Sequence, residues 1–402
     1  MHTNGTAFNP FQPFTEEHNL LRESFRKFVH REIVPHIDEW EKTKACPRHV
    51  FERMGAEGFM GVTFPTEVGG SGMDIWSAVV VAEELAAINI GGLSMSLYAH
   101  TYLPLPLINA LGTEEQKQQY LVPGLQGQKV AALGLTEPGG GSDLGNIQTT
   151  AEDKGDHFVL NGQKVYITNG TMADFIVLLV RTGEGYNQSL LIFDTSTPGF
   201  SATRMDYKLG MHSSDTGHLF FDNCIVPKSA LLGVQGMGFY YVMNNLQEER
   251  LIGAVMAAGA AQYGLTKAIQ YAKEREAFGR PIGKFQAIRH KIAQMAIQTE
   301  ACRSYAYRAV YEFLARGPEA VDVVSMAKAF TSEVALEVVN QAVQIHGGAG
   351  YMEEYGVARA WRDTRLISIG AGTTEIMYEI ISKLVYDDVK YAAPVIAVRQ
   401  GV

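Results

Sequence analysis

A chain of 402 residues, 46% hydrophobic and 19% charged, carries material for more than one core. Its formal charge of −9 and the lack of any basic block argue against a nucleic-acid partner, and no apolar run approaches the roughly 20 residues of a membrane span. The three cysteines Cys46, Cys224 and Cys302 are far apart and form no CxxC, so neither a disulfide framework nor a thiolate metal site is expected.

In chain order, Thr15 followed by Glu16 and Glu17 reads as a helix start, with Leu21, Phe25, Phe28 and Val29 at helical spacing. Helical segments continue through "DIWSAVVVAEELAAIN" to the capping-box-like "TEEQ" at Thr113. From Val130 the period shortens to strands: "VAALGLT", "HFVLNGQKVYIT" with a two-residue turn at Asn161-Gly162, "DFIVLLVRT", "SLLIFD" and "HLFFDNCIV". After Gly236-Met237-Gly238, Ala-rich helices are expected over about 240–273, 285–315, 322–345 and 374–388. Helices flanking a β unit differ from alternating βαβ, and neither "GGGSDLG" nor "GVQGMG" is an intact G-x-G-x-x-G between strand and helix. The expected bounds are a helical domain over 1–128, a β domain over 129–236 and a helical domain over 237–402.

Thr136, Ser142 and Thr168 stand beside bends that offer backbone and hydroxyl hydrogen bonds to a flat polar ring. Here "LTEPGGGSD" and "VYITNG", followed by "REAFGRPIGKFQ", "QIHGGAGY" and "GAGTTEI", resemble the acyl-CoA dehydrogenase family in order and spacing, over Phe14 to Val385. The resemblance implies an α+β multidomain fold: a helical amino domain, a β-barrel-like middle domain and a carboxyl four-helix domain. It further implies FAD between the last two domains, a homotetramer, and oxidation of an acyl-CoA thioester to the trans-2-enoyl-CoA, with electron-transferring flavoprotein as acceptor.

Carried over residue by residue, the resemblance assigns Leu135, Thr136, Tyr166 and Thr168 to the flavin ring, with tyrosine at 166 where the family often has tryptophan. Arg275, Phe278, Gln286, Gln344, Gly347 and Gly348 look like positions reaching the FAD of a neighbouring subunit, and Thr373 and Glu375 like contacts to its nucleotide. Ser142, Arg250, Gly370 and Ala371 match substrate positions, with the Ala371 N–H polarising the thioester carbonyl. In many members the base is a glutamate directly before the Gly-Thr of the last motif, and Ala371 stands there instead.

In the long-chain and isovaleryl branches the base moves to a glutamate before Arg-Leu, which here is Glu249 in "NNLQEERLIGAV". Such a base removes the α proton while hydride leaves the β carbon for flavin N5, and burial must raise its pKa. Glu248, roughly 100° around the helix, should face elsewhere. No H-e-x-x-h pattern supports a metal, and His346 in "QIHGG" reads as a packing residue or one at the cofactor edge. Open alternatives are an acyl-CoA oxidase, another flavin enzyme of this fold, and an inactive helical scaffold. Without a signal-peptide core or Arg-rich leader, the expected location is cytoplasmic, or the mitochondrial matrix for a processed chain.

Overall fold

The computed structural model describes residues 13–44, 47–184 and 187–390, so Cys46 lies outside the described residues. The first third is helical: α1 (Glu16–Glu32), α2 (Ile37–Thr43), α3 (Arg48–Ala56), α4 (Ile75–Ala87), α5 (Gly91–Tyr102), α6 (Pro104–Leu111), α7 (Glu114–Gln116) and α8 (Val122–Leu125). Thr15 caps α1 in a capping box, its side chain accepting from the His18 N–H. The His18 ring also bonds Asp74 at 2.8 Å, and Asp74 caps α4 by accepting from Trp76 at 2.9 Å. Two helix starts are thereby tied together. Thr113 and Gln116 form the second capping box.

The middle of the chain supplies β1 (Ala131–Gly134), β2 (Thr150–Asp153), β3 (His157–Thr168), β4 (Phe175–Arg181), β5 (Gln188–Asp194), β6 (Phe200–Arg204), β7 (Thr216–Pro227) and β8 (Leu231–Leu232). They form one eight-stranded sheet in the order β6-β7-β3-β2-β4-β5-β8, with β1 beside β4. One expectation fails here. Asn161-Gly162 is no hairpin turn: β3 runs straight through it, paired with β2 on one side and β7 on the other. Apolar alternation along both flanks outweighs the turn dipeptide. Gly162 (φ 140°) instead marks a register shift, where an added Cβ would lie 2.7 Å from the Thr149 backbone.

The last third holds α9 (Gly238–Glu274), the short hairpin β9 (Glu276–Ala277) and β10 (Arg280–Pro281), α10 (Gln286–Arg316), α11 (Val321–His346), α12 (Val357–Thr364) and α13 (Thr374–Val385). α9, α10, α11 and α13 match the four expected helical runs, whereas α12 escaped the sequence reading because its buried positions include Arg359, Arg362 and Asp363. α9 crosses α11 closely on small residues: a Cβ at Gly264 would lie 3.0 Å from the Val339 side chain. Ala254, Ala257, Ala261 and Ala268 are fully buried along the same helix. Nearer the starts of these two helices, Arg250 of α9 and Lys328 of α11 both reach the turn before α13. Among the described residues no helix is long and apolar enough to cross a membrane.

Candidate active site

Glu249 and Arg250 lie on the buried side of α9, only 6% and 4% exposed, with Leu246, Leu251 and Ile252 buried beside them. Burial holds the Glu249 carboxyl up at about 7, although the charges of Arg250 and Lys328 pull it down. Its Oε2 is buried without a hydrogen-bond partner, an arrangement costly for a structural carboxylate. The Tyr98 hydroxyl of α5 donates to the Glu249 backbone carbonyl, fixing this turn of α9 against the amino domain. Beside Tyr98 an apolar cavity of about 20 Å³ is lined by Tyr102, Met54, Phe59, Ile252 and Met256. Ile252 and Met256 follow Glu249 by one and two helical turns, so cavity and carboxylate share a face.

Opposite Glu249, the segment before α13 turns sharply. Ala371 (φ 57°) and Gly372 (φ 91°) are both left-handed, and the Gly370 N–H is held by the Leu366 carbonyl at 2.9 Å. Arg250 Nε donates to the Ala371 carbonyl at 3.1 Å, and Lys328 Nζ donates to the Gly372 carbonyl. Thr373 then caps α13, its hydroxyl accepting from the Ile376 N–H at 3.3 Å. Glu375 in the first turn is exposed; its pKa is lowered, chiefly by its own backbone N–H and then by Thr373. Of the two glutamates only Glu249 combines burial with a raised pKa. Glu248 is partly exposed, and burial raises its carboxyl as well.

A second group forms along the sheet. Leu135 and Thr136 follow β1, and the Val165 N–H donates to the Thr136 carbonyl at 2.9 Å, which ties the bend to β3. The β3–β7 register shifts again between Lys164 and Ile167, and inside that bulge Tyr166 (φ 60°) is turned out, 66% exposed. Thr168 ends the strand and Ser142 lies exposed on the adjoining loop. Behind the bend is a buried ion pair that the sequence reading missed: Lys164 Nζ to Glu137 at 2.9 Å and to the Leu135 carbonyl at 3.0 Å. Burial lowers Lys164 to about 8, against the pull of Glu137. The available signal was a lysine at an inward position of an alternating strand.

The third group is exposed and lies at the far end of the bundle. Arg275 ends α9, Phe278 (φ 53°) and Gly279 (φ 75°) turn the β9–β10 hairpin, and Gln286 starts α10. Stacking of Tyr271 on His346, ring centroids 4.2 Å apart, brings the end of α11 with Gln344, Gly347 and Gly348 alongside. The His346 Nδ1 bonds the Ala342 carbonyl at 2.7 Å, so this histidine packs. Phe278 is 94% exposed, and nothing lies within 4 Å of a Cβ added at Gly347 or Gly348. Among the described residues Arg275 pairs with no carboxylate, and no hydrogen bond or ring contact links this group to the Leu135–Thr168 strip. Open glycine backbone, a free aromatic face and an unpaired guanidinium suit a dinucleotide's pyrophosphate and rings.

Family models of the acyl-CoA dehydrogenase N-terminal, middle and C-terminal domains match residues 15–128, 132–224 and 236–386. The chain is 37% identical to the mitochondrial long-chain specific acyl-CoA dehydrogenase of Sus scrofa, over 93% of this chain and 88% of that one. It is 38% identical to the caffeyl-CoA reductase–Etf complex subunit CarC of Acetobacterium woodii, over 92% of this chain and 98% of that one. Its fold superposes on a crystal structure of an acyl-CoA dehydrogenase from Geobacillus kaustophilus with a TM-score of 0.89 and 40% identity, covering 93% of this chain and 99% of that one.

Proposed function

The chain belongs to the acyl-CoA dehydrogenase family, FAD-dependent oxidoreductases of acyl-CoA thioesters, and on that premise we propose that Glu249 is its catalytic base. The observation that carries this is the Glu249 carboxyl itself: desolvated, with a raised pKa, its Oε2 unbonded among the described residues, and next in the chain to Arg250, which holds the Ala371 turn. When bound, FAD supplies a two-electron acceptor for the hydride that leaves the β carbon.

The chain's own residues do the rest. Glu249 takes the α proton, and burial brings its pKa close to working pH, where a general base is most effective. The Ala371 N–H donates to the thioester oxygen, where negative charge develops as the proton leaves. Arg250, buried against the Ala371 carbonyl, holds that turn; this position supports an orienting role more directly than a grip on CoA. Tyr166 on its bulge covers the flavin ring, with Leu135, Thr136 and Thr168 at its edge, while Arg275, Phe278, Gln286, Gln344, Gly347 and Gly348 reach the FAD of a neighbouring protomer in a homotetramer. A carboxyl near 7 serves both directions of the reaction, proton removal when ionised and proton return when neutral. The relative named as a reductase–Etf subunit supports electron-transferring flavoprotein as the redox partner. Bacterial and mitochondrial relatives support the bacterial cytoplasm or the mitochondrial matrix, and their long-chain and short-chain specificities support catabolism of fatty acyl-CoAs.

The test is anaerobic bleaching of the purified yellow protein by acyl-CoAs of graded length and branching, followed by re-oxidation with air or with electron-transferring flavoprotein. Bleaching by none of them refutes the reading. Fast re-oxidation by air alone would make the protein an oxidase.

A further inference from the structure

Lys328 sits in the first third of α11, 2% exposed, among residues otherwise suited to helix packing. Burying an ammonium is expensive, and burial lowers this one to about 8. The charged groups facing it are Arg250 and Glu249 from α9 and Glu375 from α13. Those facing Glu249 are Arg250 on its own helix and Lys328 across the crossing, with the Tyr98 hydroxyl of α5 at its backbone. A purely structural strut between α11 and α13 has cheaper solutions than a buried cation aimed at an active-site carbonyl.

What that cation holds is a strained turn. Ala371 and Gly372 are consecutive left-handed residues, and an alanine there costs about 1 kcal/mol. The turn is kept by its carbonyls, each taken by a cation from a different helix: Ala371 by Arg250 of α9, Gly372 by Lys328 of α11. On the other side the Gly370 N–H is tied to Leu366 and the Thr374 N–H to the Ser368 carbonyl at 3.0 Å. With both flanks and both carbonyls held, the direction of the Ala371 N–H is set before substrate arrives.

We infer that Lys328 is a positioning residue of the active site: with Arg250 it clamps the Ala371–Gly372 turn so that the Ala371 N–H meets the thioester oxygen, and it adds a second positive charge facing Glu249 beside that of Arg250. This rests on the proposed roles of Glu249 and Ala371. Lys328 touches neither reacting carbon; it acts through the turn and through the field at the base.

The experiment compares Lys328→Gln and Lys328→Met as FAD-loaded holoenzymes, measuring single-turnover flavin reduction by an acyl-CoA across pH, with FAD content and melting temperature alongside. Gln keeps an N–H donor for the Gly372 carbonyl but removes the charge, so its acid limb should move up by about one pH unit while its high-pH plateau stays near wild type. Met removes donor and charge, so the same limb shift should accompany a plateau at least ~10-fold lower, with KM little changed, as the N–H loses its aim. A second readout needs no hydride transfer: the pH at which a bound 3-oxoacyl-CoA becomes its enolate, followed by absorbance, should rise more in Met than in Gln. An unmoved acid limb in the Gln variant overturns the charge role, and equal plateaus and equal enolate formation in Met and Gln overturn the clamp. Gln alone decides the charge role if Met does not fold. Glu249→Gln serves as the control: normal reduction there refutes the base assignment itself, whereas an inactive Glu249→Gln beside wild-type Lys328 variants refutes only the inference about Lys328.

Discussion

Helix α9 carries two polar regions of opposite character. In its first half Glu249 and Arg250 are buried, Arg250 against the turn before α13 and the Glu249 backbone against Tyr98 of α5. At its end Arg275 and the hairpin that follows stand exposed beside the open glycines of α11. The first region is complete within one protomer and carries the desolvation cost of a raised carboxyl in advance. The second offers donors and aromatic faces that stand exposed among the described residues. On the proposed reading, the proton chemistry is built into the fold, while the proposed outer dinucleotide contacts wait for something added, whether FAD, another protomer or both.

The largest effect should separate the two regions outright. Glu249→Gln should slow flavin reduction by an acyl-CoA at least ~10²-fold, with FAD still bound, because the amide is nearly isosteric and cannot take a proton. Glu375→Gln should leave reduction near wild type. Stopped-flow bleaching decides, and the reverse pattern would move the base to α13.

Next is a cost in stability. Glu249 has a raised folded-state pKa, so below pH 4.5 it is neutral folded or unfolded and contributes nothing. Between 4.5 and about 7 only the unfolded chain releases the proton, and stability falls as pH rises. Above 7 the cost is fully present, up to about 3 kcal/mol for a shift of this size. Glu249→Gln should therefore melt higher than wild type at pH 8 and close to it near pH 4.5. Parallel melting curves at both pH values would mean the carboxyl is not held up.

At the exposed end Arg275→Ala should leave the acyl-CoA side unaffected and weaken FAD retention about tenfold, as loss of a charge-assisted contact does, and should also reduce tetramer content. Gel filtration with flavin absorbance reads both. Full flavin in a monomeric variant would contradict the shared site.

The smallest contrast uses two glycines. Gly372→Ala and Gly347→Ala each place a Cβ at positive φ, φ 91° and φ 60°, costing about 1 kcal/mol. At Gly372 the new methyl would also lie 2.9 Å from the Met377 side chain and 3.5 Å from Arg250, so reduction should slow with FAD retained. At Gly347 it meets none of the described residues within 4 Å, so the loss should appear in FAD retention alone. The same phenotype in both would erase the distinction between the regions.

Much of this was legible beforehand. Long Ala-rich periodicity foretold α9, α10, α11 and α13, and the acid before Arg-Leu singled out Glu249, which the fold buries with a raised pKa. What stayed hidden were groups whose meaning depends on a distant partner. Lys328 in "SMAKAFTSE" looks like an ordinary surface lysine until α11 is set against the Gly372 carbonyl. Lys164 looks like the polar half of a strand repeat until Glu137 closes over it. α12 was missed because Arg362 and Asp363 read as solvent-facing, yet Arg362 pairs with Glu41 at 2.7 Å, from the opposite end of the chain. Asn161-Gly162 erred in the other direction, a local turn signal overruled by pairing on both sides of β3.

The sequence by itself determined the elements, because apolar periodicity and capping act over a few residues. It also determined the family, because five motifs stand in order along the chain. The tertiary structure alone decided which charges meet. Whether a carboxyl is a base depends on how much water is stripped from it and which cations face it; Arg250 is its neighbour in the chain, but Lys328 comes from a helix about 80 residues away and Tyr98 from one about 150 residues away. The two left-handed residues at Ala371 and Gly372 belong to that second class. Their strain persists only because two side chains from other helices hold their carbonyls, a condition that no local pattern records.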